Sequence, residues 1–349
     1  MTDPARRFRM EFTREEIDAA KRDGRLLSLE VELSRACNLR CIYCYADAGE
    51  RLADELCLDE ICDAADQAIA LGARRIIVIG GGEPLLYPHL MDVLRHLRRR
   101  GVGIDLFTNG TCLDRETAEA LLDLRVAPVV KLNSLREAVQ DRLAGVPGTL
   151  RAIRRGLDHL LTVGYPHPDC PLGVETVICR HNLDELPALW CWARDQNLIP
   201  YFEALTVQGR ARANPDLAVS PAELQALFAE LSRLDRERYD SVWEPHPPIA
   251  GLACNRHEYS CIVTSRGDVS PCPGIDVVVG NVRENPLAEI LRESPLVATL
   301  RDIRRHLHGA CGACELLDRC YGCRGSAYQL TGDFTAADPL CWRTARRAA

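Results

Sequence analysis

The sequence predicts an α/β fold: a partial (β/α)6 barrel over residues 1–245, followed by a cysteine-rich extension over residues 246–349. Three observations predict it. Short β-rich runs alternate with helical patterns through the first two-thirds of the chain. Polar or glycine-rich stretches follow several of those runs. The cysteines crowd toward the C-terminus, where eight of the 17 lie between Cys254 and Cys341.

The strand candidates, in order, are Leu27–Leu33, Arg75–Gly80, Val102–Phe107, Pro128–Leu132, Gly173–Ile178 and Pro200–Leu205. Each is short, rich in Val, Ile, Leu or Phe, and several end at Gly, Asn or Cys. Between them lie helical patterns at Leu58–Leu71, Leu90–Arg100, Glu116–Leu124, Leu150–Leu161 and Leu186–Gln196. Repeated βα units predict a parallel sheet with helices outside. Six such units predict an open or partial barrel, with its chemistry at the C-terminal ends of the strands. A helix over Pro221–Tyr239, with Ser220 as its N-cap, closes the barrel region. The stretch Glu244-Pro245-His246-Pro247-Pro248 then reads as a linker, with the boundary near residue 245.

Composition narrows the function. A hydrophobic content of 47% and a charged content of 27% are ordinary for a globular protein. A net charge of −7 argues against nucleic acid as a partner, because phosphate binding needs a cationic surface. The run Arg95-His96-Leu97-Arg98-Arg99-Arg100 reads as the solvated end of a helix. No apolar run reaches membrane-span length. The stretch from Ala5 to Asp23 is charged throughout and lacks an apolar signal-peptide core, so a cytoplasmic location is expected. In that compartment disulfides are rare, and 17 cysteines point to metal or redox chemistry.

Cys37, Cys41 and Cys44 are spaced to aim three thiolates from one compact loop at one object. Four cysteines complete an ordinary [4Fe–4S] site; three leave one iron open, as in a catalytic metal centre. The competing reading is a zinc site with a distant fourth ligand. The spacing is similar to the signature of the radical S-adenosylmethionine (SAM) superfamily. Two further strings strengthen the resemblance: Gly81-Gly82-Glu83-Pro84 after the second strand and Thr108-Asn109-Gly110 after the third. The resemblance implies that the open iron holds the amino and carboxylate groups of SAM. Reductive cleavage of SAM then yields a 5′-deoxyadenosyl radical that takes hydrogen from the substrate. It further implies that Tyr43 lies near the adenine and that Gly81, Gly82, Glu83, Pro84 and Asn109 bind SAM; after the sixth strand, Gln208-Gly209-Arg210 is placed to reach the SAM carboxylate through Arg210. Glycines suit such a role because backbone groups approach a ligand closely there.

The tail reads Cys254-x6-Cys261-x10-Cys272 and Cys311-x2-Cys314-x5-Cys320-x2-Cys323-x17-Cys341, with Gly267 five residues before Cys272. This resembles the SPASM extension of radical SAM enzymes. The usual pattern has three residues where this chain has two between Cys320 and Cys323. The resemblance implies two auxiliary [4Fe–4S] clusters, and three clusters in all. Cys254, Cys261, Cys272 and Cys323 would hold the first auxiliary cluster, and Cys311, Cys314, Cys320 and Cys341 the second. Zinc ribbons are the rival reading of the same cysteines.

Six cysteines remain. Cys57, Cys62 and Cys191 lie on helical patterns and read as small buried hydrophobes, while Cys112 follows the Thr108-Asn109-Gly110 turn and Cys170 lies in a proline-rich loop. Cys179 ends the fifth strand, at the rim where the radical forms, and reads either as a hydrogen-atom donor or as a packed strand-end cysteine. The overall layout resembles the radical SAM enzymes of aminoglycoside and aminocyclitol pathways, including an epimerase. The expected substrate is therefore a small carbinol such as an amino sugar, with Glu32, Glu175 and Glu203 facing it or pairing with arginines, and Lys131 to Ser134 lining the same cavity. Epimerisation with Cys179 as donor is the leading expectation, and oxidation of the carbinol to a ketone the alternative. A flavodoxin or ferredoxin is the expected reductant. A third reading is a peptide or protein maturase, which SPASM enzymes often are. Only about 25 residues precede the first strand, too few for the N-terminal peptide-recognition domain many of those carry. A non-enzymatic iron–sulfur or zinc scaffold leaves Gly81-Gly82-Glu83-Pro84 unexplained.

Overall fold

The computed structural model describes residues 12–345. The first part of the charged N-terminal stretch lies outside the described residues. One sheet of nine strands organises the molecule, in the order β6-β5-β4-β3-β2-β1-β7-β8-β9. Strands β1 (Ser28–Ser34), β2 (Arg75–Gly81), β3 (Gly103–Thr108), β4 (Val126–Lys131), β5 (Gly173–Ile178) and β6 (Ile199–Ala204) are parallel and in sequence order. The sheet does not close on itself, so the barrel is partial. Strands β7 (Ile262–Val263), β8 (Asp268–Ser270) and β9 (Gly280–Asn281) come from the tail; β7 runs parallel to β1 and the other two continue antiparallel.

Helices α1 (Arg14–Arg22), α2 (Leu58–Ala70), α3 (Leu90–Arg99), α4 (Arg115–Asp123), α5 (Glu137–Ala144), α6 (Thr149–Val163), α7 (Leu186–Asp195) and α8 (Pro221–Tyr239) belong to the barrel region. The two-residue period of the strands sorts their side chains by face. Leu29, Val31, Ile76, Val78, Ile104, Leu106, Val174 and Phe202 join one large core with residues of the surrounding helices, such as Ile61, Leu94, Leu157 and Trp190. The alternate residues Ile79, Phe107, Lys131, Glu175, Tyr201 and Glu203 line an interior cavity. A parallel sheet normally buries apolar residues on both faces; here the concave face carries charge.

Helix α8 starts where expected. Ser220 caps it, and Glu223 completes the capping box. Helix α3 ends in the basic run, with Arg98, Arg99 and Arg100 exposed. Among the described residues, no helix is long and apolar enough to cross a membrane.

The stretch after α8 does more than link. The Ala204 amide donates to Pro248 O at 2.8 Å and the Ala250 amide to Phe202 O at 2.9 Å. Residues 248–250 therefore run along the free edge of β6. The chain next turns back to place β7 against β1, with Glu30 opposite Ile262 and Val31 opposite Val263. The tail is thus built into the barrel's own sheet, a join the linker reading of residues 244–248 does not anticipate.

Candidate active site

The loop after β1 carries Cys37, Cys41 and Cys44. Backbone bonds from three directions fix it: Cys37 N donates to Gly49 O at 3.0 Å, Ile42 N to Leu143 O at 3.0 Å and Arg210 N to Cys44 O at 3.0 Å. Gly209 has φ +56°, and a Cβ there would meet Cys44 O at 2.3 Å, so only glycine lets that segment approach. The Arg210 side chain binds Cys41 O at 2.9 Å, Ala48 O at 2.9 Å and Asp47 at 2.9 Å. It clamps the cysteine loop, and it is not among the cavity-lining residues.

The second strand ends against the same loop. Gly82 N donates to Ser34 O at 2.7 Å and Glu83 N to Ala36 O at 2.8 Å. A Cβ on Gly82 would come within 2.1 Å of Ala36 O, so the glycine brings this backbone against the residue preceding Cys37. Buried Glu83 accepts from the Thr108 hydroxyl at 2.5 Å, from Asn109 N at 2.7 Å and from Leu85 N at 3.1 Å. Burial pushes its pKa up, and the bonds from Thr108 and Asn109 pull the other way. The Asn109 side chain donates to Asn38 Oδ1 at 2.9 Å, tying the third strand's turn to the cysteine loop. Gly81, Gly82, Glu83 and Asn109 all line the cavity; Pro84 is buried beside it. Tyr43 also lines it, with its hydroxyl accepting from Asn133 Nδ2 at 2.6 Å and Lys131 Nζ lying 5.3 Å from its ring centre.

The cavity has a volume of about 290 Å³. The cysteine loop and the glycine turn form one side of it. Cys254, Cys272 and Cys323, from the tail, also line it. Cys323 caps the helix Arg324–Thr331, its sulfur accepting from Ser326 N at 3.3 Å. Gly274 and Gly325 explain how these segments meet: a Cβ on either would lie 2.9 Å from the other's Cα. Between the two groups of cysteines lie charged and phenolic side chains. Lys131 Nζ binds Glu175 at 2.6 Å. Arg256 pairs with Glu30 and reaches the Tyr201 hydroxyl at 3.3 Å. Burial, reinforced by the charge of neighbouring Glu175, pushes Glu203 up to about 8. Burial alone would raise Glu175, but Lys131 and the hydrogen bond with Glu203 outweigh it and hold Glu175 low.

The second tail group gathers Cys320 near Cys341 and Cys311. Amides donate to three sulfurs here: Asp338 N to Cys311 at 3.4 Å, Leu316 N to Cys314 at 3.5 Å and Gly322 N to Cys320 at 3.3 Å. Leu39 N does the same for Cys37 at 3.4 Å. Such bonds suit thiolates of iron–sulfur clusters and tune their potentials. Burial pushes the thiol of Cys37 up to about 11 and those of Cys320 and Cys323 up to about 12. These sulfurs hold their protons until a bound metal displaces them. Among the described residues, no three His, Cys, Asp or Glu side chains converge closely enough for a single metal ion. The donor set fits iron–sulfur clusters better than zinc.

Besides Arg210, two more expected site residues stand apart from the cavity. Cys179 is buried among Tyr43, Val177, Leu143 and Leu205, its amide donating to Asn182 Oδ1 at 2.9 Å. Tyr43 and Val177 reach the cavity wall and Cys179 does not. Cys261 likewise does not line the cavity; it packs in the core beneath the helices. Conversely, Arg256, His257 and Tyr201 line it and were not singled out from sequence. The spacing Cys254-x2-His257 was visible; what it lacked was any sign that both side chains face inward.

Family models match two regions. The Radical SAM superfamily model covers residues 31–187, and the SPASM model, an iron–sulfur cluster-binding domain, covers residues 254–315. The AdoMet-dependent heme synthase of Methanosarcina barkeri is 28% identical, over 89% of this chain and 94% of that protein. The PqqA peptide cyclase of Streptomyces rochei is 29% identical, over 91% of this chain and 90% of that protein. In fold, the SAM-bound crystal structure of Streptococcus suis SuiB matches with a TM-score of 0.72 at 18% identity, covering 94% of this chain and 81% of that one. The chain uses SAM and carries more than one [4Fe–4S] cluster. These relatives are a heme synthase and a peptide cyclase, so the expected closeness to aminoglycoside-pathway epimerases is not supported.

Proposed function

From a chain that joins a radical SAM domain to a SPASM iron–sulfur domain, we propose an oxidative peptide maturase: hydrogen leaves a carbon of a peptide segment held in the cavity, and a second electron follows. The observation that carries this reading is the single cavity that Cys37, Cys41 and Cys44 share with Cys254, Cys272 and Cys323. When bound, SAM and its cluster supply a 5′-deoxyadenosyl radical, and the auxiliary cluster supplies an acceptor for the second electron.

The chain's own residues hold and orient the substrate. Cys37, Cys41 and Cys44 hold the SAM cluster, and the Gly81-Gly82-Glu83 turn and Asn109 shape the SAM pocket. Tyr43, stiffened by Asn133, forms part of the wall of the cavity that would take SAM and substrate. The Glu203 carboxyl, protonated at neutral pH, donates its one hydrogen to Glu175, which leaves carboxyl oxygens as acceptors and Lys131 as a cationic donor at the cavity wall. Together they suit the alternating donors and acceptors of a peptide backbone. Inversion of a carbinol needs a thiol at the substrate carbon, and Cys179 is withdrawn from the wall; its absence favours oxidation over epimerisation. The peptide substrate is supported by the PqqA peptide cyclase, 29% identical over nearly the whole chain. A second reading, a tetrapyrrole substrate, is favoured by the heme synthase match over 94% of that protein.

The test uses the anaerobically reconstituted full chain with SAM, dithionite and a perdeuterated peptide library. Deuterium should arrive in 5′-deoxyadenosine, with a peptide product that has lost hydrogen. Deuterium transfer without an oxidised peptide would sink the oxidative reading. Transfer only from a deuterated iron porphyrin would establish the second.

A further inference from the structure

The resemblance to SPASM enzymes implies four cysteines around the first auxiliary cluster, and the fourth is out of position. Cys261 immediately precedes β7. Glu30 stands opposite Ile262, and Glu30 N donates to Cys261 O at 2.9 Å. The strand period therefore puts Cys261 and Val263 on the face of Leu29 and Val31, which the helices cover. All four belong to the large apolar core, and Cys261 is 2% exposed. The electrostatic neighbours of Cys272 are Cys323, Cys254 and Glu30, and those of Cys261 are Arg301 and Glu30. Three thiols therefore gather at the cavity wall and the fourth lies through the sheet from them.

A different side chain lies with the three. His257 lies three residues after Cys254, on the short helix Arg256–Glu258, and lines the same cavity as Cys254, Cys272 and Cys323. It is 5% exposed, and its Nδ1 is buried without a hydrogen-bond partner. Leaving such a group unpaired costs on the order of 1–3 kcal/mol, and native interiors keep few of them. The backbone around the ring is fixed: His257 N donates to the Tyr321 hydroxyl at 3.3 Å, and the two rings lie 5.8 Å apart. A buried imidazole that borders the same cavity as three thiols, and is short of a partner, has the chemistry of a ligand.

We propose that the auxiliary cluster bordering the cavity is held by Cys254, Cys272, Cys323 and a ring nitrogen of His257, and that Cys261 is a core residue and not a ligand. The proposal rests on the cofactor assignment and is independent of the substrate. Replacing a thiolate by a neutral imidazole removes one negative charge from the cluster and raises its potential, as in Rieske centres. A cluster so ligated is a better electron acceptor for a substrate radical formed across the cavity.

The experiment compares full-length wild type, Cys261→Ala, His257→Ala and His257→Cys, each reconstituted anaerobically without SAM, so that SAM contributes no nitrogen of its own. Iron is counted per chain, and the dithionite-reduced protein is examined by electron–nuclear double resonance. Wild type should carry about twelve irons, three cubanes, and show a strongly coupled ¹⁴N. Cys261→Ala should keep both the iron and the coupling. His257→Ala should lose the coupling, and His257→Cys should restore iron without restoring nitrogen. Loss of about four irons in Cys261→Ala would overturn the proposal. So would a full iron complement in wild type with no strongly coupled nitrogen, a measurement that does not depend on any variant folding. Wild type that holds no iron would instead sink the cofactor assignment itself.

Discussion

Glu203 and Glu175 are two carboxyl groups hydrogen-bonded to each other in the wall of the cavity, with one lysine beside them. Two such charges cannot both ionise cheaply, so burial and Glu175 raise Glu203 while Lys131 holds Glu175 ionised. Between the ordinary carboxylate range and about 8, the folded chain keeps a proton on Glu203 that the unfolded chain has lost. Stability therefore falls as pH rises through that window. The lowered Glu175 acts in the opposite sense, but only at acid pH, below its unfolded value. Glu203→Gln removes the neutral-side titration and keeps the hydrogen bond. Thermal melts of the reconstituted protein should fall with pH by a few degrees less in the variant than in wild type across about pH 5 to 8. Parallel slopes would contradict the assignment. The sequence marked Glu175 and Glu203 as strand residues that would meet substrate or pair with arginines, whereas the cation beside them is Lys131. It held no sign that they would pair with each other, because that depends on the register between β5 and β6.

At the level of elements, the rim above β4 and β5 is held by two amides. Asn182 Oδ1 accepts from Cys179 N at 2.9 Å, and its Nδ2 donates to Asn133 O at 2.8 Å and Val177 O at 2.9 Å. Asn133 in turn accepts from Val177 N at 2.8 Å and supports Tyr43. Asn182→Ala strands three buried backbone groups and should destabilise the protein by about 3 kcal/mol. A urea midpoint unchanged from wild type would show that the rim does not depend on this residue. The six parallel strands were legible because each carries a hydrophobic run ending at a polar turn. Gly173–Ile178 matches the expected strand at both ends, and the others shift by one or two residues. The strands β7, β8 and β9 were not, since two or three residues carry no period to read. The same shortness hid the orientation of Cys261: spacing counts residues along the chain, and only pairing with β1 assigns a face.

The molecule as a whole is stitched through β1. Its inner residue Glu30, buried at 2% exposure, has its cation, Arg256, in the tail. Its edge is covered by β7, also from the tail. A fragment ending at residue 245 would leave β1 as an open sheet edge. It would also leave a buried carboxylate without its partner, a loss of about 3–5 kcal/mol. Expressed alone, that fragment should aggregate, and the full chain should unfold in one transition by calorimetry. A soluble fragment with a cooperative melt would show two independent units. The proline-rich stretch misled on this point: prolines at 245, 247 and 248 signal a break in regular structure, yet Pro248 accepts a bond from the edge of β6 and lines the cavity.

The ladder between β1 and β7 also has an electrical consequence. One of these strands ends in the Cys37–Cys44 loop, and the other begins shortly after Cys254. The amide–carbonyl bonds between them tie the segment that would hold the SAM cluster to the one that would hold its auxiliary neighbour, so on the proposed function the span an electron crosses would be set by the sheet itself.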